Sequence, residues 1–127
     1  MSEPRPYAIQ VRTRVEYLPE QSDPGVPRFA FAYTITIHNA GSVTATLLRR
    51  HWLITDADGR EEVVDGDGVV GYQPTLQPGE VFEYTSGAVI RTPVGTMQGH
   101  YFMHAEDGHE FEAPIPVFGL MVPGVVN

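Results

Sequence analysis

The feature that most constrains this chain is a period of two. Phe29, Phe31, Tyr33, Ile35 and Ile37 alternate with Ala30, Ala32, Thr34 and Thr36. Successive strand residues point to opposite faces, so this run predicts a strand with one large face and one small face. A helix would scatter the same large residues around its circumference. The pattern recurs along the chain. Ile9, Val11, Thr13, Val15 and Tyr17 predict a half-buried strand. Residues 46–55 predict another, with Leu48, Trp52 and Ile54 on one face, and 60–65 return beside it. Val81, Phe82, Tyr84 and Thr85 form the next, followed by a short strand at 88–92. Two final alternations run through Met97, Gly99, Tyr101, Met103 and Ala105, and through His109, Phe111, Ala113, Ile115 and Val117.

Turn chemistry punctuates these runs. Residues 19–27 read as a loop, 38–42 as a turn and 74–79 as a further loop. Asp56-Ala57-Asp58-Gly59 predicts a hairpin turn, with Gly59 suited to a positive φ. Glu106-Asp107-Gly108 fits a three-residue loop. That length sets Ala105 opposite His109 and Met103 opposite Phe111, and gives Gly108 the left-handed position of a bulge. A two-residue loop would instead turn Glu110 into the core. Pro114 and Pro116 remove two amides from one side of the last strand, which fits an edge strand. No segment carries helical periodicity with caps, and no repeat is present. Seven or eight short strands in one domain, residues 1–127, read as an antiparallel β-sandwich.

Composition narrows the function classes. The formal net charge is −8. That opposes sequence-independent binding to nucleic acid and docking to anionic lipid, both of which need a basic surface. All eight basic residues are arginine. Schiff-base chemistry and a P-loop lysine are therefore excluded. The absence of cysteine excludes disulfides, thiolate zinc sites and thiol nucleophiles, and fits the cytoplasm. Residues 1–6 have no apolar core of a signal peptide and are expected to be flexible. No apolar run reaches the ~20 residues of a membrane-spanning helix.

Five features could carry chemistry. Gly66-Asp67-Gly68-Val69-Val70-Gly71 has the G-x-G-x-x-G spacing of a dinucleotide loop. Such a loop needs a helix directly after it to hold pyrophosphate. Pro74, Pro78 and Gly79 oppose that helix. Gly66, Gly68 and Gly71 remain candidates for an anion nest, yet Asp65 and Asp67 would repel a phosphate, so a tight inter-strand turn is the preferred reading. Second, Asp56, Asp58, Glu61, Glu62, Asp65 and Asp67 form an acidic run. Asp65 and Asp67 are its candidate ligands for Mg²⁺ or Co²⁺, against the commoner reading of a solvated hairpin. Third, His38, His51, His100, His104 and His109 read as surface or turn residues. His100 and His104 stand ~13 Å apart on a strand at ~3.3 Å per residue. Fourth, Ser86 lies outside any G-x-S-x-G elbow, and no compact acid–base constellation is present. Fifth, residues 118–126 are apolar and could either pack on the domain or bind a partner.

Several longer motifs carry a resemblance. Residues 66–74, Gln77-Pro78-Gly79-Glu80, Tyr84-Thr85-Ser86-Gly87, Thr92 to Tyr101 and Ile115 to Leu120 resemble the ApaG family. The resemblance spans essentially the whole chain. It implies a fibronectin type III/immunoglobulin-like sandwich. Related domains in eukaryotic F-box proteins and in a DNA-polymerase-delta-interacting protein look like protein-binding modules. The family's name is attached to cobalt tolerance and magnesium efflux, a link that would have to be regulatory in a chain without a membrane span. The family supplies no catalytic residues to carry over. Asp65 departs from the polar or basic residue expected there.

Together these readings predict a non-enzymatic interaction module of the cytoplasm with an unidentified protein partner. No cofactor is expected beyond weak Mg²⁺ or Co²⁺. The alternatives are a divalent-cation regulator and a nucleotide or pyrophosphate binder at the glycine loop. A homodimer through a sheet edge or the tail is a further expectation.

Overall fold

The computed structural model describes residues 5–125. It contains eight strands: β1 (Ile9–Tyr17), β2 (Phe29–Asn39), β3 (Ala45–Asp56), β4 (Glu61–Asp67), β5 (Thr75–Leu76), β6 (Val81–Ile90), β7 (Val94–Ala105) and β8 (Glu110–Met121). One 3₁₀ turn, Pro19–Gln21, sits in the loop after β1. The strands make two antiparallel sheets. One has the order β1-β2-β6, the other β4-β3-β7-β8, with β5 paired to the start of β3. The chain thus crosses between sheets from β2 to β3, from β5 to β6 and from β6 to β7, giving the expected fibronectin type III/immunoglobulin-like sandwich.

The large face of β2 is the core's floor: Phe31, Ile35 and Ile37 are fully buried. Opposite them lie Leu47, Trp52, Met97, Tyr101, Met103 and Leu120. Trp52 is ringed by Tyr33, Phe118 and Tyr101, at centroid distances of 5.4, 5.8 and 6.5 Å. The β1 alternation holds, with its odd residues half-buried and its even residues exposed. The three-residue loop between β7 and β8 also holds. The Ala105 amide donates to the His109 carbonyl at 2.8 Å, Met103 pairs with Phe111, and Gly108 has φ 91°.

Five expectations are corrected. Leu47, not Leu48, joins Trp52 and Ile54 in the core. A bulge between Leu47 and Arg49 inserts one residue and reverses which side chains face inward. Val117 points outward and is 58% exposed. Register passes from Gly99↔Ile115 to Met97↔Phe118, so β8 spends three steps against two and turns Phe118 and Leu120 inward. The runs 81–85 and 88–92 are one strand, β6, because Gly87 pairs with Ala32 instead of breaking the ladder. Finally, β4 continues through Gly66 to Asp67, and Thr75–Leu76 leave the expected loop to form β5.

Both chain ends are tied where they are described. The Arg5 and Pro6 carbonyls accept from the Ser42 amide, and Pro6 also from Val43; residues 1–4 lie outside the described residues. The Tyr7 hydroxyl donates to Asp107, which holds the phenol above its usual range and the carboxyl below its own. At the other end, Leu120 is fully buried and the Val122 amide donates to Pro93 at 2.9 Å. The apolar tail therefore packs on its own domain through Val122; residues 126–127 lie outside the described residues.

Polar groups are also built into the interior. Asn39 is 1% exposed. Its amide donates to the carbonyls of Val43 and Leu76, and its oxygen accepts from Gly41, at 3.0, 2.8 and 2.9 Å. One side chain thereby joins the β2–β3 crossover to β5. Replacing Asn39 with Ala strands two carbonyls and an amide. Unfolding in urea should show a loss of about 2–3 kcal/mol for Asn39→Ala. The second group is the pair Tyr84 and Tyr101, whose hydroxyls meet at 2.6 Å across the two sheets. Burial pushes both phenols well above their usual range. Their contribution is complete below ~pH 10, where an unfolded tyrosine is neutral, and declines above it as the unfolded chain ionises. Thermal unfolding from pH 8 to 11.5 should show a steep fall that the Tyr84→Phe/Tyr101→Phe double variant flattens. At pH 7 the two single variants should couple by about 1 kcal/mol.

Candidate functional site

One side of the sandwich is closed and the other is open. β1 packs along β8. On the far side, the edge strands β4 and β6 face each other across a cleft of about 290 Å³. Its floor and walls come from Tyr33, Arg50, Trp52 and Ile54, from Glu62 and Val64 of β4, and from residues 86–89 of β6. The bulge in β3 explains why Arg50 is here. It places Arg50 on the same inward phase as Trp52 and Ile54.

The glycine motif is built around that arginine. Arg50 Nη1 donates to the carbonyls of Asp67 and Gly68 at 3.0 and 2.9 Å. Gly66 pairs with Arg50 across β3–β4, and a Cβ at Gly66 would lie 2.7 Å from the guanidinium. Gly68 has φ 61°, and a Cβ there would strike the Tyr72 carbonyl. Val70 and Gly71, with φ 43° and 87°, are the central pair of a tight turn. Positive φ at both positions is the type I′ pattern. The amides of Gly68, Val69 and Tyr72 already donate to backbone carbonyls within 2.9 Å. No helix follows; the chain passes to β5. The three glycines thus have structural work in a turn that clasps Arg50, the arrangement of the preferred sequence reading.

The acidic run divides by strand parity. Asp56 is buried in the hairpin, where Oδ1 accepts from the amides of Asp58 and Arg60 and Oδ2 from Arg60 Nε at 2.7 Å. Burial opposes its ionisation, but these bonds outweigh it and hold the carboxyl below its usual range. Asp58 pairs with the same arginine at 3.1 Å. Glu61, Asp65 and Asp67 share the outward phase of β4 with Val63, whereas Glu62 lines the cleft. Asp65 and Asp67 therefore sit on one face. Asp65 Oδ1 is 2.7 Å from His51 Nδ1, and Asp67 is the register partner of Arg49.

The β3–β7 register also brings together residues that sequence reasoning kept apart. His51 faces His100, and their rings stack at 4.9 Å between centroids. His100 Nε2 lies 3.8 Å from Glu112. A row of Asp65, His51, His100 and Glu112 thus crosses the outer face of the four-stranded layer. Arg49 lies over Phe102 beside it, 5.0 Å from the ring centroid. Spacing along the chain carries no signal for this row, because its members come from four strands. His109 stacks on Tyr7 at 4.1 Å, and His38 bonds Gln10. Among the described residues, no three histidine or carboxylate side chains converge as a metal cage, and no helix is long and apolar enough to cross a membrane.

Known proteins match this chain along its length. The model of the ApaG domain matches residues 19–105. Protein ApaG of Ralstonia nicotianae is 59% identical over 121 residues, covering 95% of this chain and 98% of its own length. Protein ApaG of Thiobacillus denitrificans is 57% identical over 127 residues, covering all of both chains. The crystal structure of an ApaA protein from Bordetella pertussis superposes with a TM-score of 0.93 at 49% identity, over 97% of this chain and 100% of that one. The C-terminal domain of wzt, at 9% identity and a TM-score of 0.54, shares the fold alone. A domain model across most of the sequence and relatives of this identity over its full length make the chain a member of the ApaG family.

Proposed function

We infer that the protein is a non-enzymatic interaction module of the cytoplasm, binding another protein through a sheet edge. The observation that supports this reading is the open side, where two strand edges stand unpaired beside exposed Val63 and Val89. Backbone donors and acceptors on such an edge template a further strand. The resemblance to domains of protein-binding type points the same way. A photo-cross-linking amino acid placed in turn at Val63, Val81, Val117 and Met121, all exposed, tests it in a bacterium that carries the protein as its own. One position should trap a defined partner while the others stay silent. Silence at every position would reject the reading.

The row of Asp65, His51, His100 and Glu112 favours a second reading, a regulator that takes Co²⁺ or Mg²⁺. It would connect the chain to the cobalt and magnesium link of its family. Carboxylate is a competent ligand for both ions and imidazole for Co²⁺. In a Co²⁺ titration, paramagnetic broadening should be confined to amides near His51, Asp65 and His100 and should vanish in Asp65→Asn. Uniform broadening at every carboxylate would reject it. The same titration with pyrophosphate tests the glycine loop, where a binder should shift Gly66, Gly68 and Gly71.

A further inference from the structure

The open side has a polarity and a shape that restrict what can occupy it. β4 ends its sheet and presents Glu61, Glu62, Asp65 and Asp67 along seven residues. A strand added to β4 would continue the sheet and the alternation of its faces. On one face it would meet Glu61, Val63, Asp65 and Asp67. On the other it would cover the cleft, whose lining mixes apolar Trp52, Ile54, Val64 and Val89 with polar Arg50, Glu62 and Ser86. Trp52 adds an independent observation. It is 1% exposed, it lines the cleft, and its indole N–H has no hydrogen-bond partner. A buried donor without an acceptor costs free energy that an incoming acceptor would recover.

We propose that the β4 edge binds a basic extended segment of a partner protein, in which arginine or lysine alternates with apolar or amide side chains. This rests on reading the chain as an interaction module. The basic side chains meet the outward carboxylates of β4. The alternate side chains enter the cleft, where one bearing an oxygen acceptor satisfies Trp52. A second copy of this chain is the wrong occupant, because its own β4 would bring the same four carboxylates against these. Arg50 lies on the cleft side, tied to the Asp67 and Gly68 carbonyls, where it meets the uncharged side chains of the segment and not its basic ones.

The probe is the capped peptide acetyl-Arg-Val-Arg-Gln-Arg-Val-Arg-amide, added to the labelled full chain. Amide shifts should saturate and concentrate on β4 and on residues 86–89. The indole N–H of Trp52, the chain's single tryptophan, should shift with the same midpoint. The same peptide N-methylated at its third, fourth and fifth residues keeps its charge but cannot complete the ladder in either direction, and should bind at least tenfold more weakly. The Glu61→Lys/Glu62→Lys variant, its β7 resonances unchanged as a sign of intact folding, should lose at least tenfold in affinity. Shifts spread over all acidic residues, equal binding of the N-methylated peptide, or no binding at millimolar peptide would each overturn the β4 site. If that happens while a cross-link forms at Val117 or Met121, the module stands and only its binding edge is wrong.

Discussion

Strand β3 pairs with β7 along one side and with β4 and β5 along the other, and one bulge decides which of its side chains are buried. Without the extra residue, the phase that buries Leu47 would turn Trp52 outward and His51 into the core. With it, Leu47 and Trp52 both face inward although five positions separate them. Burying an indole against Tyr33, Phe118 and Tyr101 removes more apolar area from water than a smaller residue would, and adds aromatic contacts. The same phase change sends Arg50 into the cleft and leaves Arg49 and His51 on the outer face. Interior, cleft and outer row therefore share one cause.

The glycine motif shows how a familiar spacing acquires a different physical meaning. In a dinucleotide-binding loop, glycines clear space for pyrophosphate and free amides point at it. Here the cleared space at Gly66 is taken by a guanidinium from the same chain. The carbonyls of Asp67 and Gly68 point at that cation. A loop that presents carbonyl oxygens to a half-buried arginine is organised for positive charge from its own chain. Placing that charge next to Tyr84 and Tyr101 also eases, without reversing, the effect of burial on their phenols.

The open side and the closed side differ in how they treat strand edges. β8 carries Pro114 and Pro116 and lies against β1, so its edge is blunted twice over. β4 has neither proline nor cover and relies on carboxylates. Charge keeps like edges apart but admits a partner of opposite sign, which proline would not. The sandwich therefore guards one flank against every strand and the other only against strands like its own.

The sequence by itself determined the class of fold, most of the strands and the three-residue loop before β8. These depend on near neighbours: the period of two separates faces, and glycine or proline fixes local backbone. It also foresaw that the glycine loop would turn the chain without opening a helix, since Pro74 and Pro78 are local facts. Only the tertiary structure decided the phase of Leu47 and of Phe118. A bulge is an agreement between two strands, and Leu47 and Leu48 are equally apolar when read alone. The pairing of His51 with His100, the seating of Arg50 and the three bonds of Asn39 are likewise invisible along the chain. Each joins residues from separate strands, and their meeting is set by register and by which sheet each strand enters. Hydrophobic alternation specifies a face within one strand; only packing specifies what stands opposite it.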